Sequence, residues 1–312
     1  MKILYFLRLG INLKYVILLF LGGALCFYNC TIGSAKSYAE TEQRKDNISS
    51  IEHYWDTYDF ADTIRLNNPE ETEKMLVDYL IRLSKQTEER ACESIRELVV
   101  KTKVNVMVNH WFLQQLEHHL YEPDSPLRND NYYISVLKEA LASGDLNGMM
   151  RVRPLYQLEM LQKNRVGAKA ADITFTLPTG RIGSLWDVSA KYTLLLFYNP
   201  DCMHCQKYIQ ELSDSPVINA FLQHSEDSLS WLTLVVVCVE GDIDVWKEYQ
   251  MQFPSTWVSG YGVNKVVIEK DVYFLRSFPS LYLLGEDKQV LLKEPSSMSQ
   301  ITNYLLNEYD TI

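Results

Sequence analysis

The sequence has no tract rich in lysine and arginine, and its formal net charge is -10 over 312 residues. A protein that follows a nucleic-acid backbone needs a positive patch or stripe, so nucleic acid is not an expected partner. The chain also has no internal repeat of fixed period and no low-complexity segment. Because 47% of its residues are hydrophobic, the composition favours folded domains over disorder. The length suits about two domains.

The first 35 residues contain no acidic residue. They carry three cations and end in an uncharged run of 21 residues, Tyr15 to Ala35. A basic start, an apolar middle and a small-residue exit are the pattern of a secretory signal peptide. The uncharged run is also long enough to span a bilayer if it is retained. We therefore expect export to the periplasm or cell envelope, with residues 1–35 as a signal peptide or as a membrane anchor through residues 15–35.

Two of the six cysteines, Cys26 and Cys30, lie inside this uncharged run. They are candidate lipid acceptors, which would make the protein a lipoprotein, although neither follows a good small residue. The other four are Cys92, Cys202, Cys205 and Cys238. An oxidising compartment permits disulfides, so the predicted export favours thiol chemistry over metal binding for a close cysteine pair.

Beyond the signal, the pattern divides the chain into three parts. Residues 36–50 are polar and are predicted to be a linker. Residues 51–164 show helical periodicity and predict an all-helical domain, with Asn68 and Thr87 as helix caps. Residues 165–312 alternate short apolar runs with helical segments and predict an α/β domain.

The α/β part shows six strand candidates and four helical stretches. The strands are predicted at 173–177, 193–199, 232–240, 255–260, 280–285 and 290–294, and the helices at 202–223, 243–253, about 264–273 and 297–309. The runs at 193–199 and 232–240 are almost continuously apolar, which is typical of buried central strands joined by a crossover helix. The last two strands are separated by four residues and predict a hairpin. The order is βαβ followed by ββα, a central mixed sheet flanked by helices.

The segment "YNPDCMHCQ" places Cys202 where a predicted strand gives way to a predicted helix. The free N–H groups and the positive end of the helix dipole stabilise a thiolate at such a position. Cys205 comes round to the same side of the helix one turn later. Cys202 can then attack a substrate disulfide, and Cys205 can resolve the mixed disulfide.

Three alternative roles for the cysteine pair stay open. Structural zinc needs four ligands, and no second Cys/His pair follows at similar spacing. His204 with both cysteines suits copper(I), but we predict no metal and no organic cofactor. A purely structural disulfide is the third alternative. We expect Cys238 to be a small buried core residue and Cys92, on an exposed-looking helical stretch, to be a free structural thiol. The adjacent His118 and His119 should point too far apart to share a metal.

Residues about 165–312 resemble the thioredoxin superfamily, and in particular the exported thiol-disulfide oxidoreductases of Gram-negative envelopes. The resemblance rests on "CMHC", on "SFPSLYLL" and on "FTLPTGRIGSLWD", which is similar to the N-terminal hairpin of the envelope group. It implies that Pro279 is the cis-proline beside the cysteine pair and that Phe278 offers its backbone to the substrate. The segment "SPLRNDNYY" resembles part of a domain of unknown function found ahead of such modules.

Three positions qualify this resemblance. His204 is similar to the histidine before the second cysteine of periplasmic oxidases, which implies support for the Cys202 thiolate, although Met203 replaces their proline. Leu196 stands where thioredoxins carry a buried acid that moves a proton, so either Glu240 or water takes that role. Asn199 replaces the threonine of peroxidase-type relatives and argues against that chemistry.

The sequence therefore predicts a C-terminal thioredoxin-like α/β domain at 165–312, preceded by the all-helical domain at 51–164. The predicted function is that of an exported oxidoreductase that exchanges disulfides with envelope proteins through Cys202 and Cys205. Its partners would be protein thiol or disulfide substrates and a membrane or envelope thiol donor or acceptor. The alternative is a thioredoxin-fold binding or chaperone module with a static disulfide.

Overall fold

A computed structural model describes residues 51–142, 146, 148–226, 229–262, 267 and 271–310. The predicted signal or anchor at 1–35, with Cys26 and Cys30, and the linker at 36–50 lie outside the described residues. Among the residues described, no helix is both long and apolar enough to cross a membrane. From Tyr54 onward the chain forms one compact unit.

The predicted all-helical region contains five α-helices within its described residues. They are α1 (Glu70–Leu83), α2 (Glu88–Thr102), α3 (Val106–Leu120), α4 (Asp130–Ala142) and α5 (Val152–Gln162). Thr87 caps α2 by accepting from the Arg90 N–H at 3.4 Å, as predicted. The cap predicted at Asn68 is wrong by one residue, because α1 begins at Glu70 and Pro69 occupies the position before it. Proline offers no side-chain acceptor there.

An aromatic cluster forms the core of the helical region. The fully buried Phe112 contacts the rings of Trp55, Tyr58 and Phe60. The ring of Tyr79 contacts Trp55. Phe112 lies 5.6 Å from Trp55 and 5.9 Å from Tyr58, both in edge-to-face geometry. Such rings bury large apolar areas and favour edge contacts, so they fix the segment before α1 against α3.

The remaining elements are a seven-stranded mixed sheet and the α-helices that flank it. The helices are α6 (Met203–Asp214), α7 (Pro216–Gln223), α8 (Ile243–Tyr249) and α9 (Met298–Asp310). The strands of the large sheet are β1 (Thr174–Thr176), β2 (Ile182–Ser184), β3 (Tyr192–Tyr198), β6 (Leu232–Cys238), β7 (Val258–Gly262), β8 (Ser280–Leu284) and β9 (Val290–Lys293). Two short strands, β4 (Ser225–Glu226) and β5 (Leu229–Ser230), pair separately.

The strand order is β2-β1-β7-β6-β3-β8-β9. Strands β3, β6 and β7 are parallel, while β8, β9, β1 and β2 pair antiparallel with their neighbours. Every residue of β3 is buried, because helices or loops cover both faces. Leu194, Leu196 and Tyr198 face the core that contains Cys205, and Leu195 and Phe197 face the opposite core. The predicted fold class is confirmed.

One predicted helix differs from the structure, and one short ribbon was not predicted. The helix predicted at 202–223 is two helices, because Ser215 has extended backbone and caps α7 ahead of Pro216. The β4–β5 ribbon was not predicted, since two-residue strands leave no periodic pattern. The helix predicted at about 264–273 falls mostly outside the described residues.

An ion-pair cluster joins the helical region to the sheet. Arg276, which precedes β8, donates to Asp130 at the start of α4 and lies 3.0 Å from Glu294. Lys293 of β9 lies 3.4 Å from Asp130, and Arg128 donates to the Glu294 carbonyl oxygen. We call these five residues the Arg276 cluster. Only 3% of the Arg276 side chain is exposed, so its charge depends on these partners.

Candidate active site

Cys202 occupies the N-cap position of α6, directly after the turn that follows β3. Its backbone is extended, and its Sγ accepts from the Cys205 N–H at 3.3 Å. The turn is held by the Cys202 N–H, which donates to the Asn199 carbonyl at 3.1 Å, and by the Asp201 N–H, which donates to the Asn199 side chain at 2.9 Å. The sulfur therefore faces the unpaired N–H groups of the first helical turn, where negative charge is stabilised.

Cys205 lies behind Cys202 in the core between α6 and the sheet. Its side chain is fully buried, whereas Cys202 is half-buried, and both are free thiols in the structure. Burial raises the pKa of the Cys205 thiol to about 12, since a thiolate there would lose its hydration. The two sulfurs thus differ in access to solvent, and burial holds the Cys205 thiol in its protonated form.

Phe278 and Pro279 stand opposite Cys202. The peptide bond between them is cis. The Cys202 Sγ–H donates to the Phe278 carbonyl oxygen at 3.8 Å, a long contact of the kind sulfur makes. The pairing of Phe197 in β3 with Ser280 in β8 brings Phe278 and Pro279 close to the turn before Cys202, because β3 ends and β8 begins at the same end of the sheet.

His204 lies in the first turn of α6 and is exposed to solvent. Among the described residues, no hydrogen bond joins its imidazole to Cys202. Its predicted support of the thiolate would therefore act through space from the helix end, and it stays a prediction.

Glu240 follows β6 and contacts the turn before Cys202. Its carboxylate accepts from the Asn199 Nδ2 at 3.3 Å, and its backbone carbonyl accepts from the Cys238 Sγ at 3.0 Å. Within the described residues it makes no hydrogen bond to Cys205. The structure links Glu240 through Asn199 to the turn before Cys202, and the role of Glu240 as proton carrier stays a prediction.

The wall behind the cysteine pair is apolar and aromatic. Leu196, at the position of the usual buried acid, is fully buried. Tyr198 packs against Tyr249 and Phe253, each with ring centroids 5.8 Å away. The Tyr198 hydroxyl is buried and has no hydrogen-bond partner among the described residues. Burial raises its pKa, so the phenol is neutral and does not replace the acid.

The sequence did not single out Tyr198 or Tyr249 as site residues. For Tyr198 the sequence offers one indication, its position in β3. It follows Leu194 and Leu196 at alternate positions, so its side chain points toward the same core as theirs, which contains Cys205. Tyr249 ends α8, and no local pattern in the sequence relates that helix to the cysteine pair.

The remaining two cysteines of the described residues, Cys238 and Cys92, lie in different regions of the fold. Cys238 is buried in β6, and burial raises its pKa to about 12. The Cys92 Sγ donates to the Asn131 carbonyl at 3.6 Å in the helical region. His118 and His119 have adjacent rings, with centroids 4.9 Å apart. In the part of the chain that the structure describes, no group of three His, Cys, Asp or Glu residues is placed to hold a metal.

Comparison with known proteins gives one family match and several similar solved structures. Residues 36–164 match a domain of unknown function, DUF5106. A crystal structure of a thioredoxin-like protein from Bacteroides caccae is 34% identical, with a TM-score of 0.80 over 91% of this chain and 99% of that one. This chain belongs to the thioredoxin-like proteins.

Two further solved structures each cover slightly less than half of this chain. The C-terminal domain of an uncharacterized protein from Bacteroides fragilis is 37% identical over 46% of this chain and 98% of that one, with a TM-score of 0.42. The thioredoxin domain of a thiol-disulfide oxidoreductase from Bacteroides vulgatus is 25% identical over 47% of this chain and 96% of that one, with a TM-score of 0.38. No curated protein matches the chain.

Proposed function

We propose that this thioredoxin-like protein is an exported thiol-disulfide oxidoreductase that exchanges disulfides with protein substrates of the cell envelope. The observation that carries the proposal is the asymmetry of its two cysteines. Cys202 is half-buried at a helix N-terminus, with its sulfur beside the Cys205 N–H. Cys205 is fully buried behind it. A partly accessible nucleophile and a shielded resolving thiol are what stepwise exchange needs.

The exchange balances as two displacements at sulfur. The Cys202 thiolate attacks one sulfur of a substrate disulfide; the new S–S bond forms, the substrate bond breaks, and the departing thiolate takes a proton. Cys205 then loses its proton and attacks the Cys202 sulfur, which releases the second substrate thiol. Two electrons pass from the cysteine pair to the substrate. The reverse sequence oxidises a substrate dithiol, and an envelope thiol donor or acceptor resets the pair.

The other predicted residues take supporting roles in this proposal. Phe278 and Pro279 shape the place where the substrate chain lies beside Cys202. His204 tunes the Cys202 thiolate electrostatically from the first turn of α6. Glu240, held by Asn199, or water accepts the proton of Cys205, since Leu196 cannot. The signal-like pattern of residues 1–35 supports an envelope location, with anchoring through residues 15–35 as the alternative to cleavage.

The test uses hydroxyethyl disulfide, an uncharged small substrate, and mass spectrometry of the intact reduced protein. The Cys205→Ser variant should accumulate a mixed disulfide on Cys202, because nothing resolves it. The wild type should instead form an internal Cys202–Cys205 disulfide and release both small thiols. The matched Cys202→Ser variant should form no adduct on Cys205 in the same time, because Cys205 is buried. A Cys205→Ser protein without an adduct on Cys202 would overturn the proposal and leave the static-disulfide binding module.

A further inference from the structure

A groove of about 760 Å³ lies between the helical region and the strand that follows Pro279. One wall is the loop between α3 and α4, residues 123–130, which includes Asp124 and Arg128. The other wall is formed by Ser277, Pro279 and Leu281, together with residues 293–296 at the end of β9. The groove is therefore built jointly by the domain of unknown function and the thioredoxin-like domain.

This groove adjoins the segment that contacts Cys202. Pro279 lines it, and the adjoining Phe278 carbonyl contacts the Cys202 sulfur at 3.8 Å. A chain joined to Cys202 through a disulfide and lying along Phe278 would therefore pass beside the groove that Pro279 lines. The groove therefore suits an extended segment of the substrate polypeptide that reacts with Cys202. A small molecule that does not reach the Cys202 sulfur is not the expected occupant.

The helical wall of the groove is fixed to the sheet by the Arg276 cluster. Asp130 and Arg128 belong to both the wall and the cluster. Glu294 and Arg276, on the thioredoxin-like side, are buried at 8% and 3% side-chain exposure. Buried and mutually paired charges resist separation, because parting them leaves each without a partner in a poorly hydrated site. The 123–130 loop is therefore held in place beside Pro279.

The carboxylates that line the groove differ in their pairing. Asp130 pairs with Lys293, and Glu294 pairs with Arg276 and lies 4.0 Å from Arg128. Asp124, at the rim, is exposed and has no ion pair among the described residues. An unpaired carboxylate attracts a cationic group that approaches it.

We propose that the 123–130 loop is a substrate-selecting wall, and that Asp124 favours substrate polypeptides with a lysine or arginine a few residues from the reacting cysteine. The proposal rests on the thiol-exchange function proposed above and names its preferred substrate class. It assigns the domain of unknown function a direct part in choosing the substrate.

The experiment compares two peptides of equal length that each carry one cysteine as a hydroxyethyl mixed disulfide. One has lysine and the other glutamate on the flanking positions, and the rate of thiol release by reduced protein is measured. We expect the wild type to prefer the lysine peptide by about two- to fivefold, the range of one exposed charge pair. The preference should shrink as salt rises from about 0.05 M to about 0.5 M, because the Debye length falls.

Two variants isolate the contribution of Asp124. Asp124→Lys should abolish or reverse the preference, while its rate with uncharged hydroxyethyl disulfide stays that of the wild type. Asp187→Lys is the matched control: it changes the net charge equally at an exposed aspartate that does not line the groove. It should keep the wild-type preference. An equal loss in both variants, or a preference unchanged in Asp124→Lys, would overturn the inference.

Crosslinking gives a second, independent readout. A mixed disulfide is formed between the Cys205→Ser variant and a peptide that carries a photoreactive benzophenone three residues from its cysteine. Crosslinks should include residues 123–128, and crosslinks confined to the thioredoxin-like domain would contradict the proposal. If hydroxyethyl disulfide itself does not react, the oxidoreductase function fails instead, so the two failures are distinguishable.

Discussion

Arg276 of the thioredoxin-like domain donates a hydrogen bond to Asp130, the first residue of helix α4. The same guanidinium donates to the Tyr121 carbonyl at 3.0 Å and lies 3.0 Å from Glu294. Burial opposes its charge, but Glu294 and Asp130 together raise the pKa of Arg276 above its ordinary value. Because these contacts cross the boundary between the two regions, the helical region and the sheet are packed as one unit.

Replacing Arg276 by methionine should lower the free energy of unfolding by about 3–5 kcal/mol. The reason is that it removes the nearest cation from the buried Glu294 carboxylate and one of the two cations that contact Asp130. Urea unfolding followed by circular dichroism measures the loss. Arg82→Met is the control, since its ion pair with Asp78 is on the surface, with both side chains about half exposed. It should cost less than about 1 kcal/mol. Equal losses in the two variants would contradict the role given to Arg276.

The stability of the reduced protein should fall in alkaline solution, partly through Cys238. Burial raises its folded pKa from 9.0 to about 12. Between these values the thiol ionises in the unfolded chain but stays protonated in the folded one, so rising pH stabilises the unfolded state. The free energy of unfolding in urea, measured at about pH 8 and about pH 10.5, should fall by roughly 2 kcal/mol less in Cys238→Ala than in the wild type. An identical fall would show that Cys238 ionises equally in both states.

The sequence predicted the elements that carry the cysteine pair because their signals are local. The apolar runs at 193–199 and 232–240 are β3 and β6, shifted by one or two residues at their ends. The strand-to-helix boundary placed Cys202 at the helix start, where the structure has it as the N-cap. Periodicity, caps and turn residues are enough for such features.

The groove and its charges were not predictable in this way. Arg276 and Asp130 are 146 residues apart in sequence, and no periodic pattern relates a loop of one domain to the strand edge of another. In the sequence, the prolines at 123 and 126 indicate only a break between helices. Likewise the orphan hydroxyl of Tyr198 depends on what packs around it, which is a property of the tertiary structure and not of any window of sequence.

The reduction potential of the Cys202–Cys205 pair tests the central claim most directly. The protein is equilibrated in buffers with different ratios of reduced to oxidised glutathione, quenched with acid and alkylated, and its mass is measured by mass spectrometry. The Cys205→Ser variant, which cannot form the internal disulfide, is the control. An active exchange pair should oxidise reversibly at a potential between about -270 and about -120 mV, the range of thioredoxins and periplasmic oxidases. A pair that never forms the disulfide, or a disulfide that persists below about -300 mV as structural disulfides do, would contradict the account.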